Sequence, residues 1–317
     1  MHIAVLVLDN VFDMGLAAVL DALTTANELA GEARFEVSLV GVRPSVTSAQ
    51  GFAIPVIASE DCPPPDWVIV PAIATKMPGP LCAALARPDI ADAVRALHAW
   101  SAGGARLAAA CIGTFILVET GLLDGEHATT TWWLAPLFRQ RYPAVQLESD
   151  RMIVPSGRFL TAGAALGHID MSLWLIRQAA PELAELVARY LIVDARPSQS
   201  AYAIADHLAH ADPLVRRFDR WVRDHLGRAI TLDLAAHDLA TSKRTLARRV
   251  RSVLGKTPVA HIQDLRIEQA VHLLKTGSQS VEAIAATVGY ADGSTLRSLL
   301  RRRLGRGVRE IKWRQAG

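Results

Sequence analysis

An α/β unit built on a parallel sheet, followed by a second unit made only of helices, is the fold class that the sequence predicts. Three observations carry it. Up to about residue 200 the chain alternates strand-like and helix-like text, beyond it the pattern is helical throughout, and the net charge changes sign at the same place. A chain of 317 residues also exceeds what one ordinary core serves.

HIAVLVL, residues 2–8, is an unbroken apolar run, as a strand covered on both faces should be. Residues 13–29 read as a helix. FEVSLVGV (35–42) and WVIV (67–70) are further β-branched runs between turn residues, and SEDCPPPDW (59–67) is a proline-stiffened surface loop. Between Pro88 and Gly103, Ile90, Ala93, Val94 and Leu97 recur at helical spacing, and a glycine pair ends the helix. RLAAAC (106–111) returns to strand and GTFILVETG (113–121) to helix. DARPSQSAY (194–202) then breaks the register, which places a domain boundary near residue 200 and divides the chain into residues 1–200 and 201–317.

Hydrophobic residues make up 51% of the chain and charged residues 21%, which excludes a disordered or collagen-like protein. The net charge of +3 hides an asymmetry. Residues 1–200 hold 13 Lys and Arg against 20 Asp and Glu, a balance of −7; residues 201–317 hold 21 against 11, a balance of +10. The basic part has the charge of a nucleic-acid partner, although charge alone would equally suit a cationic soluble domain. The most apolar uncharged stretch, Leu107 to Val118, falls short of the about 18–20 residues of a membrane span. MHIAVLVLDN has neither a basic leader nor a cleavage signal, so secretion is not expected. Cys62, Cys82 and Cys111 fit no disulfide framework or zinc ribbon, as expected of a cytoplasmic chain. No dinucleotide fingerprint, P-loop or HExxH occurs, and no cofactor is expected. His207 and His210, beside Asp206 and Asp212, are too few ligands for a metal and read better as a helix start.

The basic part repeats itself at an offset of 50 residues. Leu234 meets Ile284, Ala235 meets Ala285, Leu239 meets Gly289, Leu246 meets Leu296, Val250 meets Leu300, Leu254 meets Leu304 and Gly255 meets Gly305. Each copy is a short helix, a polar turn, a second helix and then Leu-Gly: a helix-turn-helix whose second helix can enter a major groove. The outer face of that helix carries Lys243, Arg244, Thr245, Arg248 and Arg251 in the first copy. In the second it carries Ser294, Thr295, Arg297, Ser298 and Arg301, with Arg302 and Arg303 close behind. Between the copies runs a helix capped by Thr257, opened by Pro258 and closed by Gly277, with Ile267, Ala270, Val271 and Leu274 as its buried stripe. An arginine-rich helical bundle is the alternative, but matching core positions in a repeat favour binding to double-stranded DNA.

TSKRTLARRVRSVLGKTP, VEAIAATVGYADGSTLRSLLRRRLG and the helix between them resemble the AraC family of bacterial transcription regulators over about residues 213–315. The second copy departs from the first by having Leu299 where Arg249 stands, and Gly293 in its first turn. Unequal contributions to base reading are therefore expected.

AACIGT (109–114) sets Cys111 between a strand and a helix, the geometry of a nucleophile elbow with an exposed side chain. Helix N-terminal amides there would favour thiolate; alternatively, Cys111 is a small buried hydrophobe. Residues 111–143 resemble the class I glutamine amidotransferase-like domain of intracellular proteases, and more closely its version fused to AraC-type domains (GlxA type). That resemblance implies a flavodoxin-like α/β sandwich with a pocket beside the elbow, expected to involve Asp13, Cys111, Ile112, Thr131 and Trp132. In enzymatic relatives a His follows the ATT stretch as base; Thr131 stands here and cannot serve. His127 and His168 are the remaining candidates for a relocated base. Asp13 is either the carboxylate that borders the cysteine or a helix cap. Trp132 and Trp133 suggest a cage for a cationic amine, or more simply helix-start packing with one ring in the core. The expected molecule is a homodimeric, non-enzymatic cytoplasmic regulator with a small-molecule effector and no membrane partner. A cysteine-dependent amidase or deglycase, or a Cys111 redox sensor, is the alternative.

Overall fold

The structure, a computed structural model, describes residues 1–194, 196, 198–199, 212–277, 279–304 and 307–313. His207, His210 and Gly305 lie outside the described residues. The chain folds into two compact units, Met1–Ala203 and Ile204–Gly317.

The first unit is an α/β sandwich. Its strands are β1 (His2–Leu6), β2 (Glu36–Gly41), β3 (Val46–Thr47), β4 (Ala53–Ile54), β5 (Ile57–Ala58), β6 (Trp67–Val70), β7 (Arg106–Ala110), β8 (His127–Ala128), β9 (Gln146–Leu147), β10 (Ile153–Ser156) and β11 (Phe159–Ala162). Seven form one sheet in the order β10-β11-β7-β6-β1-β2-β5, parallel except for the antiparallel edge pair β10–β11. The apolar run at the N-terminus has a direct cause. Ala4 and Leu6 of β1 join the core on one face of the sheet, while Ile3 and Val5 join the core on the other. Helices α2 (Pro78–Leu85), α3 (Pro88–Ala102), α4 (Gly113–Val118) and α5 (Ala135–Arg141) cover the first face; α1 (Asp13–Ala30), α6 (Gly167–Ala179) and α7 (Pro181–Tyr190) cover the second. No described helix is long and apolar enough to cross a membrane.

The second unit contains α8 (Pro213–His225), α9 (Leu232–Asp238), α10 (Lys243–Leu254), α11 (Pro258–Thr276), α12 (Val281–Thr287), α13 (Gly293–Leu304) and α14 (Val308–Trp313). Asp212 caps α8 by accepting from the amides of Leu214 and Val215 and also ion-pairs with Arg249, tying α10 to the start of α8. Thr257 accepts from the amide of Ala260 at the start of α11, where Ile267, Ala270 and Leu274 are buried and Val271 is half-buried.

The repeat does not keep one offset. Thr231 and Ser280 cap the first helices, and the left-handed turn residues are Ala240 (φ 51°) and Gly289 (φ 83°). The amides of Thr241 and Tyr290 donate back to Ala236 and Ala285. All these pairs lie 49 apart in the sequence numbering. The second helices, α10 and α13, begin 50 apart because Ala291 lengthens the second turn by one residue. The pairing of Leu234 with Ile284 is therefore wrong: Leu234 is 44% exposed and Ile284 fully buried, whereas Ala235 and Ile284 share the core position. In the same way Leu239 matches Val288, and Ala236 matches Ala285.

Candidate functional site

The elbow forms where β7 ends against α4. Cys111 has φ 56°, a left-handed conformation that a non-glycine residue adopts only when its surroundings force it. Ile112 and Gly113 turn the chain into α4, and Gly113 rests directly on the carbonyls of Val70 and Pro71 at the end of β6. The strained turn is present, but the exposed nucleophile is not. Cys111 is 3% exposed and Ile112 2%. Burial pushes the thiol up to about 12, and the Ile112 amide, the Thr131 hydroxyl and the Lys76 charge offset it only in part. The expectation of a thiolate is thus overturned: desolvation outweighs the helix amides.

Of the other residues expected at a pocket, Thr131 is fully buried; its hydroxyl lowers the thiol's value but has no hydrogen-bond partner among the described residues. Its neighbour Thr130 donates from Oγ1 to the Cys111 carbonyl at 2.6 Å. Trp132 and Trp133 are both half-buried in a 3₁₀ turn (Trp132–Leu134), their rings edge to face at 5.6 Å. Trp133 packs against the core on the first face of the sheet, as the simpler reading of helix-start packing expects, and the two rings do not form parallel walls. Asp13 is in the first turn of α1 and does not cap it; its carboxylate accepts from the hydroxyl of Ser48 and the amide of Gln50 at 3.1 Å. It makes no hydrogen bond to Cys111 among the described residues.

Neither candidate base reaches the thiol. His127 is at the surface, its Nδ1 2.7 Å from Glu148 Oε1. His168 is fully buried on α6, where its Nδ1–H donates to the Ala165 carbonyl at 2.7 Å and its Nε2 accepts from the Ala72 amide at 3.1 Å. Burial lowers it to about 4, with the Ala165 bond acting in the opposite direction. Both ring nitrogens are committed to backbone. Gly15 makes room for the ring, since a Cβ there would lie 2.7 Å from it. Among the described residues no three His, Cys, Asp or Glu are grouped to hold a metal.

On the second unit, Ser242 accepts from the amide of Thr245 and opens α10; at the start of α13, Asp292 accepts from the amide of Thr295 at 2.7 Å. The Ser294 hydroxyl and then the amide and hydroxyl of Thr295 hold the Asp292 carboxyl down at about 2. Lys243, Arg244, Arg248, Arg251, Ser294, Thr295, Arg297, Ser298 and Arg301 are exposed, and Thr245 is half-buried with its hydroxyl on Ser242. Two of the cations are held by the preceding helix. Lys243 pairs with Asp233 at 2.6 Å and Arg297 with Glu282 at 2.6 Å. Arg244, Arg248, Arg251 and Arg301 have no ion-pair partner among the described residues. Arg249, paired with Asp212, fastens helices, while Leu299 at the matching place packs into the core.

Residues 235–312 match the helix-turn-helix domain family. Over 298 residues the chain is 26% identical to the HTH-type transcriptional regulator GbdR of Pseudomonas aeruginosa, covering 91% of this chain and 77% of that one. It is 25% identical over 226 residues to the HTH-type transcriptional regulator ArgR of the same organism, covering 70% and 68%. Two solved structures share its fold over part of the chain. One is an AraC family transcriptional regulator from Pseudomonas putida (TM-score 0.51, 20% identity, 60% of this chain and 98% of that one). The other is a ThiJ/PfpI family protein from Pseudomonas syringae (TM-score 0.51, 21% identity, 69% and 86%). An α/β sandwich followed by paired helix-turn-helix units, with regulators as relatives along most of the chain, defines a DNA-binding transcription regulator. Within that class the chain is similar to the GbdR regulator along most of its sequence, and it shares the fold of the AraC family regulator from Pseudomonas putida over 60% of its length.

Proposed function

We propose that residues 1–200 bind a small metabolite and dimerise without catalysing a reaction, and that residues 201–317 carry the DNA contacts in response. The protein then works in the cytoplasm, on the nucleoid when bound to DNA. The observation that supports this reading best is the state of Cys111: a buried, protonated thiol facing a threonine where a hydrolase needs a base. The same burial argues against a peroxide-sensing role, which needs an accessible thiolate.

A thermal-shift screen of the protein against small metabolites, weighted toward amino acids and quaternary amines, tests the sensor reading. A ligand at ~100 times its Kd adds ~2.7 kcal/mol and raises the melting midpoint by several degrees. No shift across the panel, together with hydrolysis of amide or glycated substrates that disappears in Cys111→Ala, would replace the sensor with an enzyme.

For the DNA contacts, Arg248→Ala and Arg301→Ala should each weaken operator binding by ~1–3 kcal/mol if the guanidinium reads a base bidentately. Affinity should fall steeply with salt as counterions are released. Fluorescence anisotropy on a labelled operator measures both, and unchanged affinity in the two variants would remove these arginines from the interface.

A further inference from the structure

The segment leading out of the first unit is fastened beside the elbow. Arg196 donates to Asp170 Oδ2 at 2.7 Å and to the Leu166 carbonyl at 3.2 Å. Ser198 donates to the Asp150 carbonyl at 2.6 Å and bridges Arg151. Gln199 enters deepest and is fully buried. Its Nε2 donates to the Thr130 carbonyl at 2.8 Å and lies 3.3 Å from both Thr129 Oγ1 and the Arg151 carbonyl. Its Oε1 accepts from the Trp132 amide at 3.3 Å, and its own amide donates to the Asp150 carbonyl at 3.0 Å. Gly163 forms the wall: a Cβ there would stand 2.3 Å from Nε2.

A carboxamide is costly to bury unless it is paired, and this one is paired at both ends. Residues 129–132, which hold it, meet the elbow through Thr130 and Thr131. Residues 129–132 are therefore bonded on one side to the Cys111 carbonyl, through the Thr130 hydroxyl, and on the other to Gln199, from which the chain continues toward the second unit.

We propose that Thr129, Thr130, Trp132, Arg151 and Gly163 form a carboxamide-binding slot whose resident ligand is Gln199, and that this fastening couples the elbow to the linker. A group inserted between Cys111 and Thr131 displaces residues 129–132 and releases Gln199; release of Gln199 reciprocally loosens the cover over the thiol. The slot stands on its own contacts, while its use in signalling rests on the sensor reading.

Two variants of the full chain test it from opposite sides. Gln199→Glu keeps the size but turns the donor into an acceptor facing three oxygens. Gly163→Ala fills the slot and leaves Gln199 untouched. In each, hydrogen exchange at the Trp132 and Gln199 amides and alkylation of Cys111 by iodoacetamide, referenced to Cys62 and Cys82, should rise about tenfold or more, because several buried hydrogen bonds are lost. A cooperative melt shows that the variant is folded; if Gly163→Ala does not fold, Gln199→Glu decides. A folded Gln199→Glu with unchanged exchange and alkylation overturns the slot, even if the thermal-shift screen finds a metabolite. A tenfold rise supports it even if that screen finds none.

Discussion

Gly113→Ala is expected to destabilise the first unit by ~3 kcal/mol or more, because the new Cβ would lie 2.2 Å from the Val70 carbonyl oxygen and 2.9 Å from that of Pro71. Those are backbone atoms at the end of β6, a strand hydrogen-bonded on both sides, to β1 and β7. No side chain is available to swing aside, so either α4 lifts from the sheet or β6 shifts within it. Both outcomes disturb the elbow. In a unit of this size, that loss lowers the melting midpoint by roughly 6–12 °C, readable by calorimetry. Gly79→Ala is the control, since a Cβ at this helical position meets nothing within 4 Å and should be neutral or slightly stabilising. Equal losses in the two variants would show that contact with β6 is not what makes Gly113 necessary.

Acidification should remove ~3 kcal/mol from the same unit through His168 alone. Burial lowers this group from 6.5 in the unfolded chain to about 4 in the folded one. A depressed folded value means that the contribution is complete above pH 6.5 and is lost as pH falls from there through 4. The geometry supplies the cause: protonated Nε2 would point its hydrogen at the Ala72 amide, which now donates to it at 3.1 Å. Urea unfolding between pH 7 and 4 should show this slope on top of that of the carboxylates. His168→Gln, whose carboxamide can keep one donor and one acceptor, should flatten it. An identical pH profile in that variant would mean that His168 is not responsible.

Much of the fold was readable because its signals are local. The apolar run of β1, the helical spacing through Ile90 and Leu97, and the strand–turn–helix text around Cys111 follow from period and turn chemistry within a few residues. The paired helix-turn-helix units were readable for the same reason, but their register was not. One added residue in the second turn leaves the second helices aligned and slips the first by one, and only the burial of Ala235 beside the exposure of Leu234 reveals the slip.

The site divides along the same line. The order of residues is enough to put a cysteine at a sharp strand-to-helix turn, a threonine in place of the base, and basic residues on the second helices of a repeat. It took the folded chain to bury and protonate the thiol, to give Asp13 to Ser48 and Gln50, and to pair Lys243 and Arg297 with the preceding helices. The fold also closes Gln199 on residues 129–132. These facts depend on partners far apart in the chain, 67 residues from Gln199 to Trp132 and 96 from His168 to Ala72. Periodicity carries no record of such pairings, because desolvation and long-range hydrogen bonds arise only when the folded chain brings the groups together.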